Sequence, residues 1–578
     1  MKFSNLKNSL TFNRFSPFIF GILSFTNLCA QQEMGPTYSE VLSFYTALSK
    51  THSNTALVEV GSTDSGKPLH VFLLQKEPIN SKKSLSELKG NKLVLLINNG
   101  IHPGESCGID ASMKWVNALL SSPEKISSEI LIAIIPVYNI GGLLQQRPKT
   151  RANQLGPALQ GFRGNAQNLD LNRDFIKSDA QNTLSFQSLF LQLKPELFID
   201  THTSNGADYQ YTMTLISTQK NKLAPPLAAL LDQKFQPGLY LEMASRNFEM
   251  TPYVNVYGDV PNKGYSAFLE TPRYASGYTS LFHCLGFISE AHMLKPYSER
   301  VRATLAFLES ILLKAQEHRM EIQKAVAESL AWEKAKSHFS IQWELDSSVV
   351  EKRSFKGYKY DYVQSALGEY KRLKYFRNKP ETFEIDYYPE YKAVDSVSLP
   401  SFYVLPAAFN EVVERLVSNG ILMKRLNNDS IIKVSSTYFS NERFANSLYE
   451  GRLYISDFES KKTTQERLFY EGDWLIPIEG NPRYFLASTL EPSAVDSYLR
   501  WGFFSIIFQQ KEYFSNYVFE DTASEIIALQ PSLKNAFLKW KKENPDLIKN
   551  PNEVLDFLYK NSSYYEIEHK RYPIARIE

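Results

Sequence analysis

A chain of 578 residues, 43% apolar and 22% charged, has the composition of a globular protein two or three domains long. That balance excludes collagen-like, coiled-coil, disordered and polytopic membrane architectures. Lys and Arg number 64 against 62 Asp and Glu, so no overall basic field points to nucleic acid.

Lys2, Lys7 and Arg14 precede the apolar run FSPFIFGILSFTNLCA, with no acid among them. This pattern predicts a secretory signal peptide over residues 1–30, cleaved near Ala30. Pro17 and Asn27 break a run already short for a bilayer, so no membrane span is expected in the mature chain. Asn27 and Leu28 argue against a lipoprotein site at Cys29. Losing the three cations takes the formal net charge from +2 to −1 and leaves Cys107 and Cys284. Export permits a disulfide between them, and two buried thiols are an equal alternative.

From about 35 to 340 short apolar strands alternate with amphipathic helices. KLVLLINNG (92–100), EILIAIIPVYN (129–139), LFIDTHT (197–203) and LGFISEAHML (285–294) read as strands, the first by its uninterrupted branched apolar run. Residues 105–122 and 185–197 have helical spacing, and 297–335 reads as one long helix. The alternation predicts an α/β domain: a mixed, mostly parallel sheet with helices on both faces. Beyond a boundary near 340 the character changes. Tyrosines and charges crowd together in YKYDYVQ and DYYPEYK, and RLYISDF and RYFLASTLEP read as extended. Residues 402–426 read strand–helix–strand with Gly420 after the helix, and 514–560 read helical. Residues 341–578 are therefore expected to form an α+β accessory domain. With His569 as its one histidine and no cysteine it has little means of building a zinc site, and it is expected to contribute no catalytic group.

The chemistry gathers at strand ends. The strand 92–100 leads at once into His102-Pro103-Gly104-Glu105, and His202 ends the strand LFIDTH. Ligands collect at the carboxyl ends of strands in open α/β sheets, so His102, Glu105 and His202 are delivered to one edge. Two His and one Glu with a fourth position free for water is the set of a catalytic zinc. Between them, Asn172-Arg173 in LDLNRDF offers an amide beside a guanidinium fork, a receptor for a carboxylate. Glu290 ends the strand LGFISE and faces the same edge.

HPGE at 102–105, Asn172-Arg173 in LDLNRDF, His202 in IDTHT and Glu290 in FISEAH together resemble the zinc carboxypeptidases of the carboxypeptidase A type, in an exported bacterial form, over roughly 38–320. The resemblance implies one zinc ion on His102, Glu105 and His202. It makes Glu290 the general base that deprotonates zinc-activated water and protonates the leaving amine. Asn172 and Arg173 would hold the free C-terminal carboxylate of a peptide. Arg151 would polarise the scissile carbonyl, with Arg147 and Arg163 as rivals, and Tyr274 would contact substrate, with Tyr265 as the alternative. His283 and His292 are expected outside the ligand set, and Glu270 ranks below Glu290 as the base. If the specificity pocket were acidic, Glu249, Asp259 or Glu270 would be its candidates. Zinc amidohydrolases of the aspartoacylase type also resemble the D-L-N-R and D-x-H-T elements, and a cell-wall peptidase would share the chemistry. A binding protein on a retired peptidase fold is the non-catalytic alternative; it would be expected to have lost Glu290 or a ligand.

Overall fold

The computed structural model describes residues 33–578; the expected signal peptide at 1–30, Cys29 included, lies outside the described residues. The first half of the chain supplies β1 (Thr55–Ser62), β2 (Pro68–Leu74), β3 (Leu93–Asn98), β4 (Ile130–Ile135), β5 (Leu197–Ser204), β6 (Met213–Ser217), β7 (Met250–Pro252), β8 (Tyr265–Ser266) and β9 (Leu285–His292). All but β8 form one sheet in the order β1-β2-β4-β3-β5-β9-β6-β7. The centre, β4-β3-β5-β9, is parallel, and every residue of these four strands is buried. A strand covered on both faces has no polar side to show, which is why β4, nearly all of β3 and the starts of β5 and β9 read as apolar runs.

Alternate residues go to opposite faces. Leu93, Leu95 and Ile97 join Trp115, Phe307 and Ile311 of the helices Cys107–Leu120 and Tyr297–Glu317. Val94, Leu96 and Phe198 join Phe186 and Phe190 of the helix Gln181–Leu193. That second cluster does not stop at residue 340. It runs on through Tyr403, Phe485 and Trp501, so one face of the sheet shares its core with the C-terminal half.

The C-terminal half is α+β. The strands β10 (His338–Leu345) and β13 (Tyr391–Ser398) pair with each other, and β11 (Glu351–Gln364) and β12 (Lys371–Tyr388) make a long hairpin. A six-stranded sheet uses β14 (Phe402–Leu405), β15 (Lys424–Arg425), β16 (Ser430–Phe444), β17 (Ile455–Phe469), β18 (Trp474–Pro477) and β19 (Ala575–Ile577). Here β8 leaves the first half to pair in parallel with β12. The helices Asn516–Leu529, Pro531–Glu543 and Pro551–Lys560 surround an apolar cluster of their own.

Two expectations change. The helix over 297–335 is two, Tyr297–Glu317 and Arg319–Ala335, broken at His318. RYFLASTLEP is not extended but holds the helix Arg483–Leu490, buried from Tyr484 to Leu490. An element buried all round shows no polar period, so a short apolar run does not distinguish helix from strand. Cys107 and Cys284 are both buried and free, as two separate thiols.

Candidate metal centre and substrate cleft

The site forms where β3, β5 and β9 end. After β3 the chain turns through Gly100, whose φ of +67° is open to glycine at little cost. A tight turn follows, in which the Glu105 N–H donates to the His102 carbonyl at 2.8 Å and brings the two side chains together. Gly104 keeps the turn bare: a Cβ there would lie 2.8 Å from Arg151 Cδ and 2.9 Å from the Gly161 carbonyl. In the parallel pair β5 and β9, His202 and Glu290 are register partners, so both side chains leave the same face side by side.

His102 Nδ1 lies 3.3 Å from Glu105 Oε1, and His202 Nδ1 lies 3.3 Å from Glu105 Oε2. One donor atom from each residue falls within 4.8 Å of the others. Ligands about 2.0–2.1 Å from a tetrahedral zinc stand roughly 3.3 Å apart, so this set fits the ion. The outer nitrogens fit as well. His102 Nε2 hydrogen-bonds Asp170 Oδ1 at 2.9 Å, and His202 Nε2 lies 3.0 Å from Asp200 Oδ2. A carboxylate behind each imidazole holds the proton on the outer nitrogen and turns the lone pair of Nδ1 inward.

The charges are tightly balanced. Burial works against the Asp170 carboxylate, but His102 and Arg163 outweigh it and hold it well below the usual range. Burial likewise opposes ionised Glu105, and Arg151 and His102 overcome it. Burial opposes protonated His202, and Asp200 and Glu105 prevail and raise it. Glu290 goes the other way: burial, reinforced by Glu105 against the pull of His202, pushes it up to about 7.

His102, Glu105, His202 and Glu290 line a cleft of about 180 Å³ with Asn172, Arg173, Arg151, Arg163 and Tyr274. Arg151 sits behind the ligands: Nη1 donates to Glu105 at 2.6 Å and Nη2 to the Thr203 carbonyl at 3.1 Å. Arg163, its side chain 45% exposed, is bound to Asp170 through Nε and Nη2 and reaches within 3.4 Å of His102 Nδ1 through Nη1. Arg147 is not among the cleft residues; its backbone pairs with Gln160. Arg173 stacks on the Tyr274 ring at 4.5 Å. Tyr265 is buried away from the cleft beside Phe355 and Tyr387. Ile216, Tyr253, Phe268 and Ile288 make one wall, and Tyr257, 57% exposed, stands at the mouth.

None of the candidate acids lines the cleft. Glu249 pairs with Lys356, Asp259 with Lys263, and Glu270 with Lys222. His283 bonds Glu333, and His292 stacks on Tyr209. Sequence reasoning missed Asp170 and Asp200, although each stands two residues before a residue it did single out. In β5 that spacing puts Asp200 on the face of His202. It also missed Tyr449, whose hydroxyl accepts from Arg173 Nε at 3.1 Å across 276 residues of chain. No local pattern announced it.

Residues 41–228 match the zinc carboxypeptidase family, a span that includes His102, Glu105, Asn172, Arg173 and His202 but ends before Glu290. Carboxypeptidase 2 of Trichophyton rubrum is 22% identical over 494 residues, covering 81% of this chain and 84% of its own. Carboxypeptidase 2 of Trichophyton tonsurans is 22% identical over 447 residues, covering 73% and 76%. Among solved structures, a metallo-carboxypeptidase from Burkholderia cenocepacia aligns at 18% identity with a TM-score of 0.37, over 49% of this chain and 70% of that one.

Proposed function

The chain carries a zinc carboxypeptidase domain and is a metallocarboxypeptidase, and we propose that it is exported and removes apolar or aromatic residues from the free C-terminus of peptides, with Glu290 as general base. One observation carries this reading: the His102–Glu105–His202 triad, Glu290 and the Asn172–Arg173 pair open into a single cleft. A receptor for a carboxylate beside a hydrolytic centre fits an exopeptidase better than a deacylase or a binding protein.

Zinc, when bound, lowers the pKa of water to about 7 and polarises a carbonyl. The residues of the chain do the rest. Arg173 and Asn172 hold the terminal carboxylate, which sets the last peptide bond at the triad. Glu290 takes a proton from the attacking water as the C–O bond forms. It returns that proton to the amine nitrogen as the C–N bond breaks, and so ends as it began. A carboxyl raised towards neutrality is suited to both halves of that cycle. Both arginines have protein acceptors, but the Arg151 side chain is 16% exposed and bonded directly to Glu105, whereas that of Arg163 is 45% exposed at the cleft, so we assign Arg151 to holding Glu105 and the carbonyl oxygen to Arg163. Tyr274 serves as the platform under Arg173. The wall of Ile216, Tyr253, Phe268 and Ile288, in a cleft whose acids are Glu105 and Glu290, supports the apolar preference.

Export rests on the basic and apolar pattern of residues 1–30. Among the described residues no helix is long and apolar enough to cross a membrane. The test is a library of peptides, each made as free acid and as C-terminal amide, digested with and without a chelator and read by mass spectrometry. The free acids are expected to lose one residue at a time, the amides to survive, and the chelator to stop the reaction. Equal cleavage of acid and amide would overturn the exopeptidase assignment.

A further inference from the structure

The turn that carries Asn172 and Arg173 is gripped at both ends by the C-terminal half of the chain. Residues 449–452 form the tip of a hairpin. Tyr449 N donates to Arg452 O at 2.9 Å and Arg452 N to Tyr449 O at 3.1 Å. Glu450 and Gly451 between them have φ of +49° and +80°, the two positive values of a two-residue hairpin turn. At one end, Tyr449 Oη accepts from Arg173 Nε at 3.1 Å. At the other, Glu450 Oε2 accepts from the Asp170 N–H at 2.7 Å. Asp170 is itself the residue whose side chain caps the Leu171–Arg173 turn, accepting from Asn172 N at 2.9 Å.

The tip is braced from behind, so it holds a fixed place. Arg452 donates to both oxygens of Asp179 at 2.8 and 2.6 Å, bonds Glu411, and lies over the Phe503 ring. The Tyr449 ring stacks on Trp501 at 5.9 Å and 13°. Arg273, held by Asp496 at 2.7 Å, covers Trp501 from 4.8 Å and Tyr449 from 5.7 Å.

What this does to Arg173 follows from guanidinium geometry. The group has one inner donor, Nε, and an outer edge formed by the two Nη groups. Tyr449 occupies Nε, the Tyr274 ring occupies a face at 4.5 Å, and the Asn172 carbonyl takes one Nη1 hydrogen at 2.8 Å. The planar fork is then fixed in direction before substrate arrives. A side chain that loses little rotamer freedom on binding holds a carboxylate more tightly than one that must be ordered.

We propose that Tyr449 and Glu450 are positioning residues for the terminal-carboxylate receptor, so that recognition of the substrate's C-terminus depends on the C-terminal half of the chain. This rests on the exopeptidase reading, because it deepens the role given there to Asn172 and Arg173. It leaves the expectation that residues 341–578 contribute no catalytic group in place, since Tyr449 and Glu450 act through Arg173 and Asp170.

The test uses the full chain with Tyr449→Phe, which keeps the stacking ring and removes the acceptor. With a free-acid peptide KM is expected to rise about 10-fold, the scale of one hydrogen bond to a charged group, while kcat and zinc content stay within about 2-fold. The preference for free acid over amide is expected to narrow by the same factor. In a double-mutant cycle with Arg173→Lys, the Phe substitution is expected to add no further loss, since its effect runs through Arg173. Glu450→Gln is the second arm, with a smaller rise in KM in the same direction. A wild-type enzyme that does not prefer free acids would remove the exopeptidase reading itself. A wild-type preference left unchanged by both variants, or a loss additive with Arg173→Lys, would overturn the positioning role alone.

Discussion

Replacing Glu290 with Gln separates chemistry from folding, and the structure predicts both effects. Burial raises this carboxyl from the ordinary 4.5 to about 7 in the metal-free protein, with Glu105 adding to the rise and His202 opposing it. A group that binds its proton more tightly when folded stabilises the fold at low pH. That stability begins to fade at the unfolded value near 4.5 and is gone once pH has risen past about 7. The whole difference corresponds to about 3 kcal/mol, at ~1.4 kcal/mol for each tenfold change in proton affinity. Gln is neutral throughout and escapes the loss. In urea unfolding of the metal-free proteins, Glu290→Gln is therefore expected to gain on the wild type by most of that amount between pH 5 and pH 8. The zinc-loaded variant is expected to keep its metal, because Glu290 is not among the three residues that converge. Its kcat is expected to fall by about 10²–10⁴. A pH-independent stability difference would show that Glu290 is not buried as described. Retained turnover would move the base elsewhere.

Two further outcomes follow from the same geometry. Asp200→Asn takes the carboxylate from behind His202 and is expected to weaken zinc binding by about 10–100-fold, measured by competition with a chromophoric chelator; unchanged affinity would deny Asp200 that orienting role. A chain ending at residue 340 is expected to aggregate, since it would bare Phe282, which packs on Phe485, and Tyr278, which bonds Asn419, in a cluster continuing through Tyr403 and Trp501. A soluble, zinc-loaded fragment, detected by size-exclusion chromatography with metal analysis, would show that this shared face is dispensable.

The sequence by itself determined what is local. The central strands β3, β4, β5 and β9 were legible because burial on both faces leaves β3 and β4 as apolar runs and starts β5 and β9 with one. His102, Glu105, His202 and Glu290 were legible because each stands where such a strand ends, and the carboxyl ends of a parallel sheet share one edge. What the sequence left open depended on where chain far from the sheet comes to rest. Arg151 and Arg163 lie 12 residues apart with the same charge, and only the folded path between β4 and β5 sets one on Glu105 and the other on Asp170. RYFLASTLEP, read as extended, is a helix, because a segment buried on all sides carries no periodic signal to tell the two apart. The grip of Tyr449 and Glu450 on the 170–173 turn joins residues 276 and 280 positions apart, and tertiary packing alone decides such a contact. A hydrogen bond across that distance leaves no spacing in the chain to read, because the geometry that makes it belongs to the shared core beneath both halves.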